Sequence, residues 1–288
     1  TGAASIDLAP GSKVKVLDTE GERAKVEVLP LLPGSGAAGV NGVVPASVLR
    51  PVPTNINWLP LESNPDVLNS FMQRVGPLKE GWRFADVFGL EEELLAFIPQ
   101  PCRALVLLHP GGGLVPAFRE RRRALVAEYA ASSQPAPPIP LYMTQHDEAG
   151  NACGTIAAIH AIANTGVPIE PGSILANFIA SVSSSVSPAL AGWKLLEESG
   201  LYAASDASAH TGDTATPERE ADTDFHFIAF VNAAGRLWDL DGRKPHPVDC
   251  GTTSDESFLR DAATVIREQY MALAPECPNF SMLALCQG

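Results

Sequence analysis

Three residues of this sequence have the types and settings of a thiol hydrolase. Cys153 lies in Asn151-Ala152-Cys153-Gly154-Thr155-Ile156, where a polar loop turns directly into the apolar run 157–164. The spacing predicts a helix whose first turn holds Cys153, so the positive end of the helix dipole and the unpaired N–H groups there can stabilise a thiolate. The bland alternative is a small buried hydrophobe, which is what most single cysteines are. What favours chemistry is that the chain also supplies a base and an orienting carboxylate in strand-like settings. His226 sits in Asp224-Phe225-His226-Phe227-Ile228-Ala229-Phe230, a run apolar on both faces, and Asp241 ends Leu237-Trp238-Asp239-Leu240-Asp241 just before Gly242.

These settings dictate the elements around them. The two runs alternate with period two and are joined by Asn232-Ala233-Ala234-Gly235, which reads as a hairpin turn. Antiparallel neighbours joined this way can set His226 beside Asp241. A buried imidazole on a carboxylate, facing a cysteine at a helix start, is the arrangement of a cysteine hydrolase.

Asn151-Ala152-Cys153-Gly154-Thr155-Ile156, Phe225-His226-Phe227-Ile228 and Leu240-Asp241-Gly242-Arg243-Lys244-Pro245 resemble the three catalytic motifs of the ubiquitin C-terminal hydrolases, a family of cysteine peptidases. Further likenesses are Trp58-Leu59-Pro60-Leu61-Glu62-Ser63-Asn64-Pro65, Phe84-Ala85-Asp86-Val87-Phe88-Gly89-Leu90 and Phe280-Ser281-Met282-Leu283-Ala284-Leu285. The ordered motifs run from Trp58 to the end of the sequence and are similar to the short, L-type members without a C-terminal extension. The resemblance implies an α+β, papain-like fold, an antiparallel sheet flanked by helices with a knotted chain. It also implies a glutamine six positions before the cysteine as an oxyanion donor. Here that position is Asp147, whose carboxylate would repel an oxyanion, and the glutamine is Gln145, eight before Cys153. The role is therefore assigned to Gln145, with 146–150 expected to bulge and absorb two extra residues.

Composition bounds the rest. A chain of 288 residues, 45% of them hydrophobic, holds one large domain and a small one. No apolar run is long enough to span a bilayer and no basic-then-apolar leader opens the sequence, so a soluble intracellular protein is expected, in the cytoplasm or also the nucleus. Five cysteines without paired spacing indicate neither a disulfide framework nor a zinc site, and Cys102, Cys250, Cys277 and Cys286 are read as structural thiols. A net charge of −13 disfavours nucleic acid and anionic membrane and suits a basic partner.

Residues 1–53 differ in character. Short alternating runs at 13–17 and 24–28, a loop at 33–39 and a closing segment at 42–50 suggest a small β-rich module, the last segment resembling part of a Src-homology-3-type barrel. It contains no Phe, Trp or Tyr, so an aromatic polyproline groove cannot be built. An extended tail docked on the main domain is the equal alternative. Pro51-Val52-Pro53-Thr54-Asn55 reads as a linker, and the catalytic domain is placed at 57–288.

Within that domain, helices are expected at 66–75 behind the cap Asn64-Pro65, at 119–129, at 173–180, at 188–199 ended by Gly200, and at 257–270. Residues 104–108 read as a central strand and 280–285 as a last strand. Pro110-Gly111-Gly112-Gly113 lacks phosphate-loop and dinucleotide spacing and reads as a loop. The arginines of 119–123 read as a solvated face, His160 as a core histidine and His210 as solvated. The polar stretch 204–223 reads as a mobile loop, and the resemblance places that segment across the active-site cleft.

The function so implied is hydrolysis after the C-terminal Gly-Gly of ubiquitin by a monomer that needs no cofactor or metal and prefers small or unfolded leaving groups. Cys153 is the nucleophile, His226 the base and then the acid, and Asp241 the orienting group. A ubiquitin-like modifier as substrate, or a ubiquitin-binding protein acting without hydrolysis, are the alternatives.

Overall fold

The computed structural model describes residues 14–20, 23–28, 40–45, 55–131, 138–182, 186–221 and 223–288. The first three of these stretches form an antiparallel meander of β1 (Val14–Glu20), β2 (Arg23–Val28) and β3 (Val40–Pro45), with a register shift between Val16 and Asp18. The expected loop at 33–39, the end of the closing segment at 46–50 and most of the proposed linker lie outside the described residues.

The remainder is α+β. A six-stranded sheet, antiparallel throughout, has the order β4 (Trp82–Asp86), β9 (Ser281–Gln287), β5 (Cys102–Pro110), β6 (Phe225–Ala233), β7 (Arg236–Leu240), β8 (Val248–Thr252). The continuous apolar run of β5 is explained by its place, paired on both edges and covered on both faces. The last strand lies between the first two.

Helices α1 (Pro65–Val75), α2 (Glu92–Leu95), α3 (Pro116–Ala131), α4 (Cys153–Ala163), α5 (Ile174–Ser181), α6 (Pro188–Glu197), α7 (Ser199–Ala209) and α8 (Phe258–Gln269) complete the domain. The Asn64 side chain accepts the Asp66 N–H at 2.8 Å, with Pro65 at the first helical position, so α1 begins as its sequence dictates. Alternation along the strands divides the core. Phe227, Ala229, Val231, Trp238 and Leu240 face the cysteine helix α4, which is buried from Cys153 to Ile162, while Ile228, Phe230 and Leu237 face α8.

Two expectations are corrected. Gly200 does not end a helix. Glu198 turns extended and its carboxylate accepts the Gly200 N–H at 3.2 Å, so the glycine sits in the first turn of the next helix. The stretch read as a loop from 204 is helical to Ala209, with Ala204, Ser205, Ser208 and Ala209 buried. Its serines are polar by type but inward-facing, and Ser205 Oγ lies 2.8 Å from Thr155 Oγ1 on α4. The connection between α7 and β6 is therefore residues 210–224.

Candidate active site

Cys153 is the first residue of α4, and no side chain caps that helix from Ala152. The orphan N–H groups of the first turn are left beside the thiol. The fit at Gly154 is tight: a Cβ there would stand 3.2 Å from Leu61 and 3.3 Å from the Phe227 ring, where the helix start packs against β6.

The β6–β7 hairpin turns through Ala234 and Gly235, both at positive φ (53° and 73°), the backbone of a tight two-residue turn matched to strand twist. Leu240 pairs with Ala229, and Asp241 follows it onto the face that carries His226. There His226 Nε2 lies 2.6 Å from Asp241 Oδ1, both side chains being buried. The Arg243 backbone N–H donates to the same oxygen at 2.9 Å. Because the carboxylate takes the proton on Nε2, Nδ1 is the nitrogen left for exchange, and the ring interacts with Cys153. The structure thus brings His226 and Asp241 together and sets Cys153 near the His226 ring.

The electrostatics follow. Burial opposes ionisation of Cys153, but the His226 ring, the Arg243 charge and the Phe227 N–H overcome it and lower the thiol to about 7. Burial opposes charge on His226, and Asp241 raises its pKa despite that. Burial also opposes the Asp241 carboxylate, which the His226 interaction, Lys244 and the Arg243 N–H hold well below the usual range. Burial pushes Cys102, Cys250 and Cys286 upward instead.

Gln145 is buried between the two catalytic segments. Its backbone N–H donates to the Gly242 carbonyl at 2.8 Å and its side-chain amide to the Gly150 carbonyl at 2.8 Å. Gly242 permits this approach, since a Cβ there would be 3.2 Å from both Gln145 N and Met143 O. The expected bulge is a single 3-10 turn, Asp147–Ala149, that leaves Asp147 exposed and Gln145 inside. His160 is a core histidine, its Nε2 accepting the Met143 N–H at 3.0 Å. His210 is exposed at the end of α7, with Nδ1 3.2 Å from Thr216 Oγ1.

Sequence reasoning missed a buried network behind Asp241. Lys244 Nζ and the Tyr270 hydroxyl both donate to Asp239 Oδ2, Lys244 Nζ lies 2.8 Å from the Tyr270 oxygen and 3.9 Å from Asp241 Oδ2, and Tyr142 donates its hydroxyl to the backbone carbonyls of Asp241 and Lys244. The available signal was period two, which puts Asp239 on the face of Asp241 in an apolar strand. Also missed were the anchors of 210–224. The Thr214 N–H and hydroxyl donate to Glu62 Oε2 at 2.9 and 2.6 Å, Thr223 donates to Asn151 Oδ1 at 2.9 Å, and Asn151 Nδ2 donates to the Ala221 carbonyl at 2.9 Å. The loop is thus tied down two residues before Cys153. Among the described residues no group of three or more His, Cys, Asp or Glu is placed to hold a metal ion, and no helix is long and apolar enough to cross a membrane.

Residues 58–272 match the family described as "Ubiquitin carboxyl-terminal hydrolase, family 1". A ubiquitin carboxyl-terminal hydrolase of Aplysia californica is 40% identical over 76% of this chain and 97% of its own length, and isozyme L1 of Homo sapiens is 38% identical over 80% and 98%. The catalytic domain of Trichinella spiralis UCH37, solved bound to ubiquitin vinyl methyl ester, shares the fold with a TM-score of 0.61 at 18% identity, over 80% of this chain and 95% of that one. A cysteine at a helix start, a histidine on a hairpin strand and an aspartate at that hairpin's far end therefore stand in a chain that belongs to ubiquitin carboxyl-terminal hydrolase family 1, the cysteine-type deubiquitinating hydrolases.

Proposed function

We propose that this chain cleaves the bond after the C-terminal Gly-Gly of ubiquitin, with Cys153 as nucleophile, His226 as acid and base, Asp241 as the group that orients the ring and Gln145 as an oxyanion donor. The thiolate attacks the glycine carbonyl, and the developing oxyanion takes hydrogen bonds from the Gln145 amide and the N–H groups at the start of α4. His226 passes its Nδ1 proton to the leaving amine, giving a thioester. Water attacks the thioester as His226 takes its proton, and thiolate and imidazolium return. The observation that carries this reading is a buried histidine held by Asp241 at 2.6 Å in a fold that sets Cys153 at the first turn of α4.

The loop 210–224 crosses the cleft and restricts the leaving group to small adducts or unfolded peptides. Its ties to Glu62 on one side and Asn151 on the other support that role. The test is reaction with ubiquitin bearing a C-terminal electrophile, run against ubiquitin-like modifiers with the same warhead, followed by mapping of the adduct. One adduct with ubiquitin, on Cys153, is expected, and Cys153→Ala should still bind ubiquitin. A Cys153→Ala variant keeping more than about a hundredth of native turnover would overturn the assignment.

A further inference from the structure

Two features have no part in this scheme, the glycine run 111–113 and the arginines at the start of α3, and the fold brings them together beside the histidine. The Gly111 N–H donates at 2.6 Å to the carbonyl of Asp224, two residues before His226. A Cβ on Gly112 would stand 2.9 Å from Arg119 Cβ, so only a glycine lets the first turn of α3 close this far on the loop. Between them and the segment after Asp241 lies a shallow cleft of about 40 Å³, open to solvent, with the His226 ring in its wall. Arg119, Arg122 and Arg243 line it, and among the described residues none of these guanidiniums is in an ion pair. Asp241 also borders the cleft, but its carboxylate is engaged by His226 and the Arg243 N–H.

The cleft contains a second unmet group. His109 pairs with His226 across β5 and β6, their ring centroids 5.7 Å apart, and is 5% exposed. Its Nδ1 lies 2.8 Å from the Pro110 carbonyl, which fixes the proton there and leaves Nε2 as a buried acceptor with no partner. A ligand that satisfies the cleft brings anionic charge for the arginines and an N–H for His109.

The Gly-Gly end of ubiquitin offers no side-chain carboxylate and does not meet that description. The group on the other side of the scissile bond does. Its amine takes a proton from His226, so the atoms attached to it pass that ring. Resting on the hydrolase reading above, we propose that this cleft is the subsite for the leaving group and that it selects an acidic peptide segment, whose carboxylates meet Arg119, Arg122 and Arg243 and whose backbone N–H meets His109.

The experiment uses the full chain and ubiquitin extended at its C-terminus by short peptides that differ only in Glu and Asp, Gln and Asn, or Lys, at one ionic strength. The acidic series should be cleaved with kcat/KM about tenfold above the neutral one, the value of a single charge-assisted contact, and the Lys series should be slowest. The double variant Arg119→Gln/Arg122→Gln should level the acidic and neutral series while cleaving the neutral one at the native rate. Equal cleavage of all three series by the native chain would overturn the inference and leave the hydrolase reading intact, as would a preference that survives in the double variant. Failure to cleave any member would overturn both.

Discussion

His226 Nε2 and Asp241 Oδ1 stand 2.6 Å apart at the end of a hairpin whose far turn is Ala234-Gly235. The contact fixes the ring by Nε2 and leaves Nδ1, buried and without a hydrogen-bond partner among the described residues, as the nitrogen free to exchange a proton. Orientation and charge are supplied by the same carboxylate, and the two contributions can be separated by experiment.

The thiol of Cys153 is lowered to about 7 and the pKa of His226 is raised, so the thiolate forms as pH rises through about 7. Alkylation by iodoacetamide should rise about tenfold per pH unit below this value and level above it, with the adduct on Cys153, since burial pushes Cys102, Cys250 and Cys286 upward. Asp241→Asn keeps an acceptor for Nε2–H but removes the charge that raises His226, so the midpoint should move upward. A native midpoint near the ordinary thiol value of about 8.5 would rule out the ion pair.

Gln145→Ala should lower kcat by about a hundredfold, the usual loss for one oxyanion donor. Asp147→Ala, a change in the exposed 3-10 turn, should cost little. Steady-state kinetics on a ubiquitin C-terminal amide checks both, and the reverse ranking would assign the oxyanion role away from Gln145.

Lys244→Met leaves the carboxylate of Asp239, fully buried, with the Tyr270 hydroxyl alone. Removing one member of a buried ion pair costs about 3 kcal/mol or more, because the other charge stays desolvated. Urea unfolding of the variant should show that loss, and a change below about 0.5 kcal/mol would mean that the network does not hold the segment after Asp241.

The fifteen residues 210–224 reach about 50 Å at full stretch, and a ring of that contour is about 16 Å across. An extended peptide passes, and a single helix about 10 Å wide barely does, but a folded ubiquitin does not. Inserting ten Gly and Ser residues between the exposed Pro217 and Glu218 adds on the order of 0.6 kcal/mol in closure entropy. It should admit Lys-linked diubiquitin without slowing a small amide. Equal cleavage of both substrates by the native chain would remove the loop as a gate.

The settings of Cys153, His226 and Asp241 were legible because each sits where local chemistry constrains its neighbours: a cysteine at a helix start, a histidine in an apolar strand, an aspartate before a glycine turn. The helix 199–209 was not, because Ser205 and Ser208 are buried, Ser205 against Thr155, in packing that composition does not encode, and Glu198 rather than Gly200 decides where the chain bends. The arginines of α3 and the glycines of 111–113 each had a bland reading taken singly. Their shared cleft exists only because β5 brings one to the mouth of β6 and α3 folds back over it, a long-range fact that no window of sequence contains.

The strand nearest the C-terminal end of this sequence, Ser281–Gln287, lies between β4 and β5, so two strands made early in synthesis have no hydrogen-bonded neighbour on their facing edges until it arrives. A nascent chain stalled short of Ser281 on the ribosome therefore has β5 through β8 free to pair in order, while β4 is left without its only sheet neighbour and one edge of β5 stays open.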